Sequence, residues 1–165
     1  MAEHDGLSQY RKAAARRLRD AEELLQPPSL ASEEQGADTR HLRGAVYLAG
    51  YAVECVLKAY IISQAASAMS LAEAVEERRR AGEERRRAGE QVPNILGADG
   101  HDLRLLLSLT DLEERFTDNA RKRDWSLCMK WKPAWRYDPK PPTATFALEF
   151  MGAVKRIYQW VERQI

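Results

Sequence analysis

The chain has few of the residues that build disulfide frameworks or metal clusters. Its 165 residues include only two cysteines, one (Cys55) in an apolar segment and the other (Cys128) in a distant, loop-like stretch. Two isolated cysteines favour neither kind of framework, and a reducing cytoplasm is the environment we expect. Zinc spacings, a phosphate-binding glycine loop, a serine elbow and a dinucleotide fingerprint are also missing. The sequence therefore predicts no metal and no cofactor.

Net charge is nearly absent as well. Lys and Arg total 26 against 25 Asp and Glu, which gives a formal net charge of +1. The overall charge therefore predicts attraction to neither nucleic acid nor membranes, and any electrostatic argument must be local. The N-terminus lacks the apolar core of a signal peptide. We expect a soluble, cytoplasmic protein without a membrane partner.

Patterns typical of β-strands are missing too, because no run alternates apolar and polar residues between hairpin turns. Apolar residues recur instead at steps of three and four, which predicts an amphipathic helix over 6–25 and a closing helix over 147–165. A chain of this length builds one domain. We predict a single all-α domain over residues 1–165, an antiparallel up-and-down four-helix bundle with one or two additional short helices.

The most apolar segment is 45–62, in which only Glu54 and Lys58 are charged among eighteen residues. These two residues lie one helical turn apart in the favourable order. A helix that is apolar on nearly every side belongs in a protein core or a membrane, and two charges near its middle argue against the membrane. We predict a long, buried central helix that begins near residue 38 or 39 and ends near residue 67.

Capping patterns predict two further helices. Asp99 or Asp102 is placed to cap a short apolar helix that follows it. Thr110 followed by Glu113 matches a capping box, which predicts a helix from Leu112 to about residue 119. The stretch 121–142 contains four prolines, so we do not expect it to form regular secondary structure over its whole length.

A tandem repeat occupies the middle of the chain, where 76–82 and 83–89 both read EERRRAG. The repeat has no large apolar side chain that would commit it to a core, although Glu–Arg pairs can keep it helical. We predict that 76–90 is a charged, solvent-exposed arm. An RNA-contacting arginine cluster is the weaker interpretation, because the glutamates cancel its charge.

The pattern YLAGYAVECVLKAYI, followed by GHDLRLLL, then WRY and an amphipathic C-terminal helix, resembles the HEPN-domain proteins of prokaryotes over most of the chain. The matching elements are Glu54 and Lys58 on the central helix, the GHDL start at 100–103, and the pair Arg136 and Tyr137. The resemblance implies a four-helix core and frequent homodimers. It also implies roles in toxin–antitoxin pairs, phage defence or RNA metabolism, often beside a minimal nucleotidyltransferase.

Ribonuclease members of that family carry an Arg followed four to six residues later by His. The chain lacks this signature at all three of its histidines, His4, His41 and His101. The sequence therefore leaves open whether the protein is an enzyme, and it favours a protein without catalytic activity. Weak catalytic candidates are His101, Lys58 and Glu54, but a charged pair on a central helix more often satisfies itself. If Lys58, His101, Arg136 and Tyr137 converge, they form a small polar site able to hold a phosphate.

The best candidate binding surface is the segment 121–140. It contains seven Lys or Arg, two Asp and four aromatic residues, so its net charge is plus five. Cations can engage phosphates while aromatic rings stack on bases, and Trp and Arg also anchor protein interfaces. The competing interpretation is a connection that packs its tryptophans onto the bundle and leaves its cations in water. The candidate nucleic-acid or partner-binding residues are Arg123, Lys130, Trp131, Lys132, Trp135, Arg136 and Tyr137.

The sequence thus favours a non-catalytic, HEPN-like accessory module of a prokaryotic defence or toxin–antitoxin system. Its expected partners are a second copy of the chain and a nucleotidyltransferase or another defence protein. The first alternative is a divergent RNA-binding or RNA-cleaving protein that uses Lys58, His101, Arg136 and Tyr137. The second alternative is a structural subunit of a larger assembly, for which large apolar patches on the first or last helix would be evidence.

Overall fold

Helices make up all the regular structure in the described part of the chain. The computed structural model describes residues 6–26, 39–68, 70–83, 98–138, 140 and 142–165. Six α-helices occur in these ranges: α1 (Leu7–Leu24), α2 (Thr39–Ser63), α3 (Leu71–Glu83), α4 (Leu103–Ser108), α5 (Asn119–Cys128) and α6 (Ala144–Glu162). Two 3₁₀ helices, Ala98–His101 and Pro133–Tyr137, precede α4 and α6 respectively. The all-α prediction is confirmed for these residues, none of which is in a strand.

Helix α2 is the centre of the fold. It packs against α1, α3, α4, α6 and the second 3₁₀ helix. Its buried side chains lie on every side of the helix, as the apolar sequence predicts. Most of the core consists of this helix together with the inner stripe of α6, which contributes Phe150, Val154, Ile157 and Val161.

Within the described residues, one helical segment, His41–Ser63, is long and apolar enough to cross a membrane by length and composition. In the fold, however, 78% of its most apolar window is buried against other parts of the protein. The same apolar surface that resembles a membrane span therefore serves here as the packing surface for the surrounding helices.

The capping-box prediction at Thr110 is wrong. Residues 111–115 form turns, and the next helix, α5, begins only at Asn119. The Thr110 hydroxyl donates to the Leu107 carbonyl at 2.6 Å and accepts from the Leu112 amide, so it closes the end of α4. A capping box requires the residue three positions later as the donor. The aspartate cap at 118 starts α5 instead, through a 2.6 Å bond from the amide of Arg121.

The first copy of the EERRRAG repeat forms the second half of α3. Leu71 and Ala74, which precede the repeat, are buried and fix this helix against the core. Residues 76–79 are half-buried and Arg80 is exposed, so this copy lies along the protein surface as part of a packed helix. The arm predicted for 76–90 thus overlaps α3 at its start, and residues 84–90 lie outside the described part of the chain.

Two arginines of this copy bind the carboxylate of Glu76. Its carboxylate accepts two 2.6 Å bonds from Arg79 and a 3.0 Å bond from Arg80. These bonds, led by those from Arg79, lower the pKa of Glu76 from 4.5 to about 2. Because the folded-state pKa is lowered, the contribution to stability is present above pH 4.5 and is lost as the pH falls towards 2.

We therefore expect the Glu76 carboxyl to titrate near pH 2 in an NMR pH series. In an Arg79→Gln variant the midpoint should move up towards 4.5, because the bidentate partner is gone. Glu114, an exposed glutamate in the turn after α4, is the control in the same spectra. A Glu76 midpoint near 4.5 in the wild-type protein would contradict the two arginine contacts.

Candidate functional site

Four polar or polar-tipped residues form a single stripe along the otherwise apolar helix α2. Tyr47, Tyr51, Glu54 and Lys58 follow one another at steps of four, three and four residues. This spacing places all four side chains on one face of the helix. The stripe is the framework of the candidate site, and it extends from the second 3₁₀ helix at one end to the contact with α1 at the other.

The half of the stripe nearer α1 contains two buried charged residues, Glu54 and Lys58. Lys58 donates to Glu54 Oε1 at 2.7 Å, and the other carboxylate oxygen, Oε2, lies 2.8 Å from His101 Nδ1. The side chains of Glu54 and Lys58 are 4% and 10% exposed, whereas that of His101 is 43% exposed. The carboxylate is therefore bonded on both oxygens, and the lysine ammonium lies in a closed pair rather than in open solvent.

The start of α4 holds His101 in place. Asp102 is the helix cap, and its side chain accepts from the amides of Arg104 and Leu105 at 2.9 and 3.2 Å. Gly100, on the other side of the histidine, is buried. The predicted cap at Asp102 is confirmed. Because adjacent side chains point in different directions, Asp102 faces the backbone while His101 reaches the Glu54 carboxylate.

The bond to Glu54 also orients the imidazole. When Nδ1 donates to the carboxylate, the opposite nitrogen, Nε2, is the one left for other groups. This is the arrangement in which a carboxylate fixes the tautomer and the ring orientation of a histidine. Tyr51 packs against the same imidazole in an edge-to-face contact at 5.7 Å.

The other half of the stripe is aromatic. The Tyr47 hydroxyl donates to that of Tyr51 at 3.3 Å, and Arg136 donates to the Tyr47 hydroxyl at 3.3 Å. Burial, followed by the bond with Tyr47, raises the pKa of Tyr51 above its ordinary value. The bond to Tyr47 raises the pKa of Arg136. The Tyr51 phenol therefore stays neutral, and the two tyrosines connect the histidine to the 3₁₀ helix that carries Arg136.

Trp131 covers this aromatic section. Its indole Nε1 donates to the Tyr47 carbonyl at 3.2 Å, and its ring meets Tyr51 edge to face at 5.0 Å. The indole lies directly on Gly50, where an added Cβ would be 2.1 Å from the ring. Glycine is thus the residue that permits close contact between the helix backbone and the tryptophan.

The structure brings together the four residues considered for a divergent site, but only through intermediates. Lys58 reaches His101 through Glu54, and Arg136 reaches it through the two tyrosines. Tyr137 lies beyond them, 73% exposed, with the Arg136 guanidinium 4.4 Å from its ring centre. The four side chains form a line of contacts and do not surround a common point.

The tryptophans of the 121–140 segment pack inward. Trp131 is 3% exposed, and Trp135 is half-buried against Phe146 and Phe150. In this conformation Trp131 is not available to stack on a base, which corrects its place among the candidate binding residues. The exposed candidates in this segment are Arg123, Lys130, Lys132, Arg136 and Tyr137.

A cleft opens beside His101, between the start of α4 and the second 3₁₀ helix. It encloses about 550 Å³, and its lining residues are His101, Asp102, Leu103, Arg104, Met129, Trp131, Lys132, Pro133 and Ala134. Three of these side chains carry or can carry positive charge, and the floor is apolar. The exposed histidine therefore faces a volume large enough to admit a small ligand.

Tyr47 and Tyr51 were not among the predicted site residues, although their spacing in the sequence is a signal for them. Tyr47 and Tyr51 share the face of Glu54 and Lys58, so helical spacing alone placed them in one stripe. No local sequence pattern indicates that Gly50 is important, because Trp131, which packs on it, lies 81 positions later in the chain.

Other nucleophile and metal candidates are weak. Burial raises the pKa of Cys55 to about 11, so its thiol stays protonated, and Cys128 is buried. Across the ranges described, no three His, Cys, Asp or Glu side chains are grouped so that they could hold a metal ion.

In its described residues the protein is all-α, and it has a buried Glu54–Lys58 pair bonded to an exposed histidine, His101, at the edge of a cleft. In comparisons with known proteins, no family model, curated protein or solved structure matches the chain. Any assignment of function therefore depends on the site itself.

Proposed function

We propose that the protein is a non-catalytic, HEPN-like interaction module of a prokaryotic defence or toxin–antitoxin system, with an antiparallel four-helix core and a cytoplasmic location. The observation that carries the proposal is the closed pair of Glu54 and Lys58. Both groups of this pair are buried and bonded to each other. A lysine held in this way is not placed to exchange protons with a substrate in an open cleft.

The absence of the Arg-and-His ribonuclease spacing from the sequence supports the same conclusion. The cluster of Glu54, Lys58 and His101 has a structural role, because His101 on the connection before α4 binds a carboxylate on α2. The two elements are thereby joined at a defined position. Removal of a group from such a cluster is expected to affect folding first and chemistry only through folding.

The surface proposed for the partner is the exposed side of the second 3₁₀ helix. Tyr137 is 73% exposed, and the Arg136 guanidinium stacks on its ring. Tyrosine and arginine are the residue types that most often anchor protein interfaces. The expected occupants are a second copy of the chain and a partner protein such as a nucleotidyltransferase.

The test is purification from the native host of three tagged forms: wild type, an Arg136→Ala/Tyr137→Ala double variant, and Lys12→Ala as a control on the exposed side of α1. We expect a stoichiometric protein partner, or a dimer by analytical ultracentrifugation, with the wild type and the control, and a loss of at least tenfold in affinity with the double variant. Association that is unchanged in the double variant would contradict the proposed surface.

The divergent RNA-directed function is the second candidate. One observation favours it: His101 is 43% exposed and faces the cleft. Incubation of the purified protein with an RNA pool separates the two candidates. Cleavage that is lost in a His101→Gln variant that still folds would replace the non-catalytic proposal with a ribonuclease. An intact RNA pool would support the module.

A further inference from the structure

A second, smaller pocket lies between the first half of α2, the second 3₁₀ helix and the start of α6. It encloses about 300 Å³. Val46 lines it from α2, Trp135 from the 3₁₀ helix and Phe146 from α6. None of the described residues that line this pocket also lines the cleft beside His101, so the two are separate sites.

Two aromatic rings in the wall of this pocket are fixed by the core. Trp135 meets Phe146 at 5.8 Å between ring centres, with the ring planes 68° apart, and it contacts Phe150 at 5.9 Å. Phe146 also stacks on Phe150, which is fully buried. Because both rings pack on a core residue, they have little freedom to move. Rigid aromatic walls of this kind suit a flat, apolar group.

The described lining residues include three that carry charge: Arg43, Asp138 and Lys140. Arg43 is half-buried on α2, and Lys140 is exposed. The Asp138 carboxylate accepts from the backbone amide of Lys140 at 2.9 Å, so it closes the turn that follows the 3₁₀ helix. Two cations and one carboxylate give these residues a formal net charge of plus one. The lining is therefore complementary to an anion with a single negative charge.

The size and the charge of the pocket together limit the kind of anion. A volume of about 300 Å³ is at the lower end of the range for small-molecule sites, which fits a single aromatic ring with one acidic group. A carboxylate has one negative charge and accepts charge-assisted hydrogen bonds from a guanidinium or an ammonium. A phosphate monoester has nearly two negative charges at neutral pH, and the second would be repelled by Asp138. The lining therefore favours a carboxylate.

We infer that this pocket binds small aromatic monocarboxylic acids, in which the ring lies against Trp135 and Phe146 and the carboxylate is held by Arg43 and Lys140. The apolar walls supply most of the contact area, and the two cations select for the charge. The inference does not depend on the proposed interaction module, because the residues of the partner surface, Arg136 and Tyr137, do not line the pocket.

The experiment is a ¹H–¹⁵N NMR titration of the full chain at neutral pH with benzoate and with three related probes that each change one feature. Benzamide keeps the ring without the charge, acetate keeps the carboxylate without the ring, and phenyl phosphate adds a second negative charge. Benzoate should shift the indole N–H signal of Trp135 and the amide signal of Phe146. It should bind about tenfold more tightly than benzamide, the difference that one charge-assisted hydrogen bond supplies. Absence of these shifts, or tighter binding of phenyl phosphate than of benzoate, would overturn the inference.

An Arg43→Gln/Lys140→Gln variant separates the effect of the cations from that of the apolar walls. Its affinity for benzoate should fall about tenfold, whereas benzamide, which has no charge, should bind as it does to the wild type. The control, Lys12→Gln/Arg163→Gln, removes two exposed cations that do not line the pocket and should leave both affinities unchanged. An equal loss of benzoate binding in the two double variants would show that only the overall charge matters, and it would overturn the inference.

Arg43 is half-buried, so the folding of its variant is checked separately. A far-UV spectrum like that of the wild type, with benzamide still shifting the Trp135 signal, shows that the pocket is intact. Lys140→Gln alone changes only an exposed side chain and should weaken benzoate binding about threefold. Unchanged benzoate binding in the folded double variant, or in Lys140→Gln if the double variant does not fold, would overturn the inference whatever the partner experiment shows.

Discussion

A Glu54→Met variant is expected to lose about 3–5 kcal/mol of unfolding free energy, the largest effect of any single change considered. The substitution leaves the Lys58 ammonium buried without its acceptor, and it also removes the acceptor for His101 Nδ1. An unpaired charge in a low-dielectric interior retains its desolvation cost without the compensating attraction. Urea denaturation followed by far-UV circular dichroism measures the loss.

A double-mutant cycle makes this prediction sharper. When Lys58→Met is added to Glu54→Met, both charges are gone and apolar side chains of similar length fill the space, so most of the lost stability should return. The recovery also keeps the test valid if the single variant is too unstable to purify. A double variant no more stable than the Glu54→Met protein would show that the pair is not the source of the loss.

An exposed ion pair supplies the matched control for this cycle. Lys155 on α6 donates to Glu22 on α1 at 2.6 Å, and the two side chains are 51% and 37% exposed. Because solvent screens such a pair, Lys155→Met should change the unfolding free energy by less than about 1 kcal/mol. Equal losses at the exposed and buried pairs would mean that burial does not govern the contribution of Glu54.

A Gly50→Ala variant is expected to lose about 3 kcal/mol, although alanine by itself favours a helix over glycine by about 1 kcal/mol. The new Cβ would lie 2.1 Å from the Trp131 ring, so the indole must move. This movement breaks the 3.2 Å bond to the Tyr47 carbonyl and the edge contact with Tyr51. Thermal or urea unfolding gives the loss, and the indole N–H signal of Trp131 in NMR reports the displacement.

Gly152 on α6 is the control for this substitution. The nearest atom to an added Cβ there is the terminal guanidinium nitrogen of Arg156 at 3.2 Å, which can move aside. Gly152→Ala should therefore be neutral or slightly stabilising. In a Trp131→Leu background, moreover, Gly50→Ala should cost much less than in the wild type. A stable Gly50→Ala protein with an unshifted Trp131 signal would refute the close contact.

Much of the fold follows from helical periodicity in the sequence. The apolar segment 45–62 predicted a central helix and the stripe over 147–165 a closing one, and both are present as α2 and α6. A cap at Asp99 or Asp102 was predicted because capping depends on a few neighbouring residues, and Asp102 is the cap in the structure. The local pattern at Thr110 gave a wrong prediction. The Thr110 hydroxyl bonds back to the preceding helix, and two buried side chains, Leu112 and Phe116, anchor a turn.

The sequence by itself determined the Glu54–Lys58 pair, because residues four apart on a helix are neighbours whatever else the chain does. Only the tertiary structure decided that His101, 47 positions from Glu54, completes the cluster, and that Trp131, 84 positions from Tyr47, covers the aromatic stripe. These contacts depend on which helix surfaces pack together. That choice is made by the fit of side chains across the whole core, and no local spacing encodes it.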